Sequence, residues 1–238
     1  MIGRAGKWYN LGMSNEHDRT ELPAPAVEVE GPYRTSSLES PPRELGSGAA
    51  PSRCADLQRV RGVLERYLGG HPQEREELLQ LIRFLDAASD WREAISRKNP
   101  AGHLTASAMV VRRSDRRAVL VRHAALGKLL QPGGHIEPED SSTLAAALRE
   151  AEEETPLRGF EVVPTDADPL IPIDIDCHFI PANPAKGEGP HFHFDLRYVL
   201  LFDGEVEGDF VLRPLPDFAG AGDLERLAVK TARLLGSG

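Results

Sequence analysis

The stretch Gln131–Leu157, QPGGHIEPEDSSTLAAALREAEEETPL, decides how the rest of the chain is read. Two glycines precede a short acidic loop, and an alanine-rich run then ends in Arg149, Glu150, Glu152, Glu153 and Glu154. At about 100° per residue, a helix places Leu144, Ala147, Leu148, Ala151 and Thr155 on one core-facing stripe. Glu150, Glu153 and Glu154 then share an arc of about 100° well away from that stripe, while Glu152 points elsewhere. Carboxylates near a helix C-terminus oppose its dipole and repel one another. Three that converge also raise each other's pKa unless a cation lies among them. Hard oxygen donors suit Mg²⁺, with Mn²⁺ as the second choice. Arg149 can pair with one of these carboxylates or with a loop carboxylate and so orient the site. Gly133 and Gly134 let the backbone approach a metal or phosphate closely. An acidic helix face open to solvent is the alternative reading of the same residues.

The remaining sequence supplies a frame for that helix. The chain has 238 residues, 40% hydrophobic and 27% charged, which is ordinary for a soluble protein with room for one generous domain. A net charge of −9 argues against a binder of nucleic-acid polymers but not against small nucleotides, whose phosphates a metal can neutralise. No run approaches a membrane span, and MIGRAGKWYNLGMSNEHDRTE lacks a signal-peptide core. Cys54 and Cys177 have no metal or redox spacing and read as free thiols. A cytoplasmic location is expected.

Residues 1–52 are rich in Pro, Ser, Gly and Glu and are expected to be a disordered tail, with Lys7–Met13 its one apolar cluster. Residues 53–98 are expected to form a helical extension. Leu57, Val60, Leu64 and Leu68 repeat at helical spacing up to Gly69-Gly70, and a second helix starts near Pro72. This hairpin packs on the main domain or forms the interface of a homodimer. Residues 99–238 form the main domain. HLTASAMVVRR, RAVLVRHA, PLIPIDIDCHFI and HFHFDLRYVLLF read as strands, and DLERLAVKTARLLG as a closing helix. Strands on both sides of a central helix, with another helix at the end, imply an α/β sandwich with a mixed sheet.

GGHIEPEDSSTLAAALREAEEETPL resembles the Nudix box, G-x5-E-x7-R-E-U-x-E-E-x-G-U with U a bulky apolar residue. Gly134 matches the leading glycine, Arg149-Glu150 the R-E pair, Glu153-Glu154 the E-E pair and Leu157 the closing apolar position. The resemblance implies a Nudix-type α/β/α sandwich that hydrolyses a diphosphate linkage in a nucleotide or nucleoside-diphosphate derivative. It implies Glu150, Glu153, Glu154 and the Gly134 carbonyl as metal ligands, with Arg149 in the catalytic constellation. The match departs from the pattern in four places. Asp140 stands where a glutamate is expected and eight residues separate it from Arg149, so Glu139 is the other candidate. Ala151 is small at the U position, and Pro156 replaces the final glycine. These departures motivate a second reading, a non-catalytic Nudix-fold nucleotide sensor or interaction module. An isomerase on the same fold is disfavoured by the surroundings of Cys54 and Cys177.

The candidate substrate contacts lie elsewhere. In an extended GEGPHFHFDLRYV, His191, His193, Asp195 and Arg197 share one face, and Phe192, Phe194, Leu196 and Tyr198 the other. That polar row is expected to line a cleft. His135, Arg122, His123 and Lys128 are further candidates for phosphate contact. Trp8 and Trp91 are expected to lie outside the core fold.

Overall fold

The computed structural model describes residues 57–123, 127–183 and 187–236. The tail expected at 1–52, with Trp8 and Cys54, lies outside the described residues.

Helix α1 (Leu57–Gly70) ends at its glycine pair. The second helix does not begin at Pro72. A 3-10 turn, Pro72–Glu74, comes first, and α2 spans only Leu79–Ala87. The reason is that Glu74 is drawn inward: its carboxylate meets Lys230 Nζ at 2.7 Å and accepts the Tyr67 hydroxyl. A short helix α3 (Trp91–Ala94) follows, capped by Asp90, whose Oδ1 accepts Glu93 N–H at 2.9 Å. Trp91 is half-buried and packs on the core, contrary to the expectation that it lies outside.

Among the described residues eight strands form one mixed sheet: β1 (Gly102–Arg112), β2 (Arg117–His123), β3 (Lys128–Leu130), β4 (Gly133–His135), β5 (Glu161–Val162), β6 (Asp174–Ile180), β7 (His191–Phe202) and β8 (Phe210–Pro214). Helix α4 (Thr143–Glu154) lies between β4 and β5, and α5 (Asp223–Leu234) closes the chain. At the centre β1 and β7 run parallel, in register from Gly102↔Phe192 to Arg112↔Phe202. β4 and β6 extend this pair on either side, at the same end of the sheet.

Side-chain alternation sorts the central strands into two cores. Leu104, Ala106, Ala108 and Val110 join Phe194, Leu196, Tyr198 and Leu200 in one apolar cluster with α4, α1 and α2. The Phe84 and Phe194 rings stack there with centroids 4.7 Å apart. The opposite face carries Met109, Val111, Val199 and Leu201 against Phe218, Leu224, Leu227 and Ala228. Helices therefore cover both faces, giving the expected α/β/α sandwich. Each fully buried Leu or Phe contributes about 1.5–3 kcal/mol to it.

The polar row of β7 keeps its alternation but does not line an open cleft. Asp195 and Arg197 are buried. Arg197 pairs with Asp195 at 3.1 Å, Asp176 at 3.0 Å and Asp174 at 3.2 Å. Asp174, fully buried, also takes Arg226 at 3.0 Å and Lys230 at 2.8 Å. The cations come from α5 and the carboxylates from β6, so a row that looks hydrophilic is closed over by ion pairs. Among the described residues no helix is long and apolar enough to cross a membrane.

Candidate active site

The site grows from β4 and α4. Helix α4 starts at Ser142, whose Oγ accepts the Ala145 N–H at 3.0 Å. Leu144, Ala146, Ala147 and Ala151 are buried, which presses the helix onto the sheet. Small alanines let it approach closely, so Ala151 fits where a bulkier side chain was expected. Glu150 and Glu154 are then turned towards the glycine pair of β4, and Glu153 reaches Arg149 beside them.

Arg149 organises the constellation. Its Nε and Nη2 meet Asp140 Oδ1 and Oδ2 at 3.1 and 2.9 Å. Nη2 also donates to the His135 carbonyl at 2.8 Å, and Nη1 to Glu150 Oε1 at 3.0 Å and Glu153 Oε2 at 3.1 Å. One guanidinium thus ties the loop, the backbone of β4 and two glutamates. Asp140, not Glu139, is the loop carboxylate that Arg149 selects. Asp140 also closes its own loop by accepting the Glu137 N–H at 2.8 Å. The extra loop residue is absorbed there, leaving Glu139 at the surface.

Glu154 bonds to β4 directly, accepting the Gly133 N–H at 3.0 Å. Gly134 is needed for space: a Cβ there would lie 2.7 Å from the Glu150 carboxylate. Burial, reinforced by Glu153 and Glu154, pushes the Glu150 carboxyl above the usual carboxylate range even though Arg149 opposes the shift. A cluster short of positive charge, built from carboxylate and backbone oxygens, fits a hard divalent cation.

The proline at the helix end does no damage. Thr155 is extended at φ −131°, ψ 158°, and its hydroxyl donates to the Ala151 carbonyl at 2.6 Å. Arg158 Nη1 donates to the carbonyls of Glu152 at 2.6 Å, Thr155 at 3.1 Å and Leu157 at 2.6 Å. The helix-end carbonyls of Ala151 and Glu152 are thus satisfied without a glycine turn.

The structure brings Arg149, Glu150, Glu153, Glu154 and Gly134 together. His135 adjoins them, and its ring stacks on His103 with centroids 5.0 Å apart. His191 and His193 belong to a separate histidine group around His103. Arg122 is engaged elsewhere, in an exposed pair with Asp209 at 3.2 Å. Lys128 opens β3 and is exposed. Sequence reasoning missed His103 and Arg158. The signal for His103 was available: it shares a strand face with Thr105 and Ser107, polar residues on a strand otherwise buried.

The family model described as NUDIX domain matches residues 102–232. A protein of Lactococcus lactis subsp. cremoris (strain MG1363), described as "Probable DHNTP pyrophosphohydrolase", is 32% identical over 146 residues, 61% of this chain and 79% of that protein. Among solved structures, C. elegans Ap4A hydrolase is 18% identical over 56% of this chain and 97% of its own, with a TM-score of 0.38. A NUDIX-family hydrolase from Clostridium perfringens is 22% identical over 56% and 96%, with a TM-score of 0.41.

Proposed function

The chain belongs to the Nudix hydrolase family, and from that premise we propose that it is a Mg²⁺-dependent pyrophosphohydrolase, with Mn²⁺ as an alternative ion. It is a hydrolase of phosphoanhydride bonds, and the bond in question is a diphosphate linkage within a small nucleotide or a related triphosphate. The single observation that carries this reading is the Arg149 clamp, which holds Glu150 and Glu153 on one side and Asp140 on the other. A protein that only sensed a ligand would have no need to set Glu150 and Glu154 against a glycine pair with Glu153 held beside them.

Glu150, Glu153, Glu154 and the Gly134 carbonyl are the residues that would hold the ion. When bound, a divalent ion offsets phosphate charge and makes water a stronger nucleophile. Arg149 fixes the directions of Glu150 and Glu153, and its contact with the His135 carbonyl keeps β4 in register with the helix. Gly133 fixes Glu154 through its N–H. The Lactococcus relative makes DHNTP the first substrate to try. Nucleoside triphosphates, ADP-ribose and dinucleoside polyphosphates follow.

The test is phosphate and pyrophosphate release with wild type, Glu153→Gln and Glu154→Gln, with Mg²⁺ and with EDTA. Each variant should lose activity by about 100-fold or more while keeping its circular dichroism spectrum and Tm. Equal turnover of an identified substrate in both variants would refute the assignment.

A further inference from the structure

A second cluster of ligating side chains lies at the start of the central strand pair, next to β4. Gly102 has φ +141°, and a Cβ there would lie 2.9 Å from Phe194 Cε2 and collide with the Phe192 carbonyl. Glycine therefore allows β1 to enter the sheet tightly against β7, which makes His103 and His193 register partners. His191 lies two residues earlier on the same face of β7. Ring nitrogens of His103, His191 and His193 lie within 4.8 Å of one another.

Two features of this cluster are unusual for packing histidines. His103 is 1% exposed, and neither of its ring nitrogens has a hydrogen-bond partner among the described residues. Buried polar groups are normally satisfied, because leaving one bare is costly. Next, His191 Nδ1 lies 2.9 Å from the Gly189 carbonyl, which makes it the N–H donor and leaves the Nε2 lone pair to accept from His193 or to bind a metal. That Nε2 lies 3.2 Å from His193 Nε2. Metal–nitrogen bonds of about 2.0–2.1 Å at a tetrahedral angle place two ligand nitrogens about 3.3 Å apart.

We propose that His103, His191 and His193 form a transition-metal site, separate from the carboxylate site and selective for a borderline-soft divalent ion, Zn²⁺ first. Neutral imidazoles favour such ions over Mg²⁺, and three of them leave a coordination position free. Of the three ligands His191 has an outer partner that fixes its ring, the Gly189 carbonyl. Beside them His178 meets His193 edge-on at 5.4 Å between centroids, and its Nδ1 lies 2.8 Å from Asp176 Oδ2. His135 stacks on His103, and its carbonyl accepts Arg149, so the two sites share a border on β4. The ion would clamp the start of β1 to the start of β7 beside the catalytic loop.

The test uses the full-length chain without a histidine tag, stripped of metal and titrated with Co²⁺ or Zn²⁺ in millimolar Mg²⁺. Wild type should take one Co²⁺ at micromolar concentration or below, with the strong visible absorption of a low-coordinate, nitrogen-ligated ion. The Glu153→Gln/Glu154→Gln double variant should bind it equally well. His103→Ala, and His191→Gln/His193→Gln, should weaken binding by about 100-fold or more. Loss of the Co²⁺ signal in the Glu153/Glu154 double variant overturns the proposal, and that result needs no histidine variant to fold. Binding that survives in a folded His191→Gln/His193→Gln protein overturns it as well.

Discussion

Arg149 and Asp140 form a two-point pair across nine residues of chain, Nε to Oδ1 at 3.1 Å and Nη2 to Oδ2 at 2.9 Å. The Asp140 side chain is nearly buried, so this pair is shielded from competing water far more than a surface ion pair. Replacing Asp140 with Asn removes the charge and one acceptor. We expect Asp140→Asn to lose about 2 kcal/mol by denaturant unfolding and to lower kcat, because Arg149 also sets Glu150 and Glu153. Glu139→Gln should stay within about 0.5 kcal/mol of wild type. Equal effects at the two positions would reverse their assignment.

The adjacent glycines should fail in different ways. At Gly133 a Cβ would run into Ser107, with Cα only 2.7 Å away, and that obstacle is backbone in the middle of the sheet. Gly133→Ala should therefore pull β4 from β1 and lower Tm sharply. At Gly134 the obstacle is the Glu150 carboxylate, the end of a side chain that can swing aside. Gly134→Ala should keep most of its stability and lose activity by about 10-fold or more. Thermal melts and turnover on the two purified variants separate these outcomes.

Acid should destabilise the metal-free protein from about pH 6.5 downwards. His103 and His193 have folded-state values pushed down to about 3 and about 2. The charged and titratable groups facing them are His135, His178, His191 and Arg97. The unfolded chain binds both protons near pH 6.5 while the folded chain refuses them, so stability is present above that pH and drains below it. The slope is about 1.4 kcal/mol per pH unit for each histidine. Glu74 and Asp176, both lowered, add their losses only at more acid pH, below the ordinary carboxylate values. Urea unfolding at pH 7, 6 and 5 should show the slope, and His193→Leu should reduce it by about half.

Asp174 meets Arg197, Arg226 and Lys230 with no exposed surface of its own. Asp174→Asn leaves three cations facing a neutral amide and should cost about 3–5 kcal/mol. Arg66→Ala, which removes the exposed pairs with Asp166 and Asp168, should cost less than about 1 kcal/mol. Chemical denaturation of both variants measures the contrast.

The carboxylate helix was legible because its geometry belongs to one element. Helical periodicity alone puts Glu150, Glu153 and Glu154 on one side, and the structure keeps them there. What was illegible depends on long-range pairing. His103 and His193 are ninety residues apart, and their meeting follows from a parallel register that Gly102 permits. The burial of Asp195 and Arg197 was hidden because their partners come from β6 and α5. Pro156 looked disruptive because the sequence does not reveal that Thr155 and Arg158 take over the carbonyls. The second helix starts late because Glu74 answers to Lys230, more than 150 residues further on.

That last contact has a wider consequence. Lys230 reaches Glu74 and Asp174 at once, and the cluster beneath the sheet runs without a break from Leu57 to Phe202. The segment shared with the family begins at Gly102. Cutting the chain there would strip the cover from Phe194 and Leu104 and remove the carboxylate that Lys230 answers. The segment that the family model covers and the packed core therefore have different edges, because the core reaches back to Leu57.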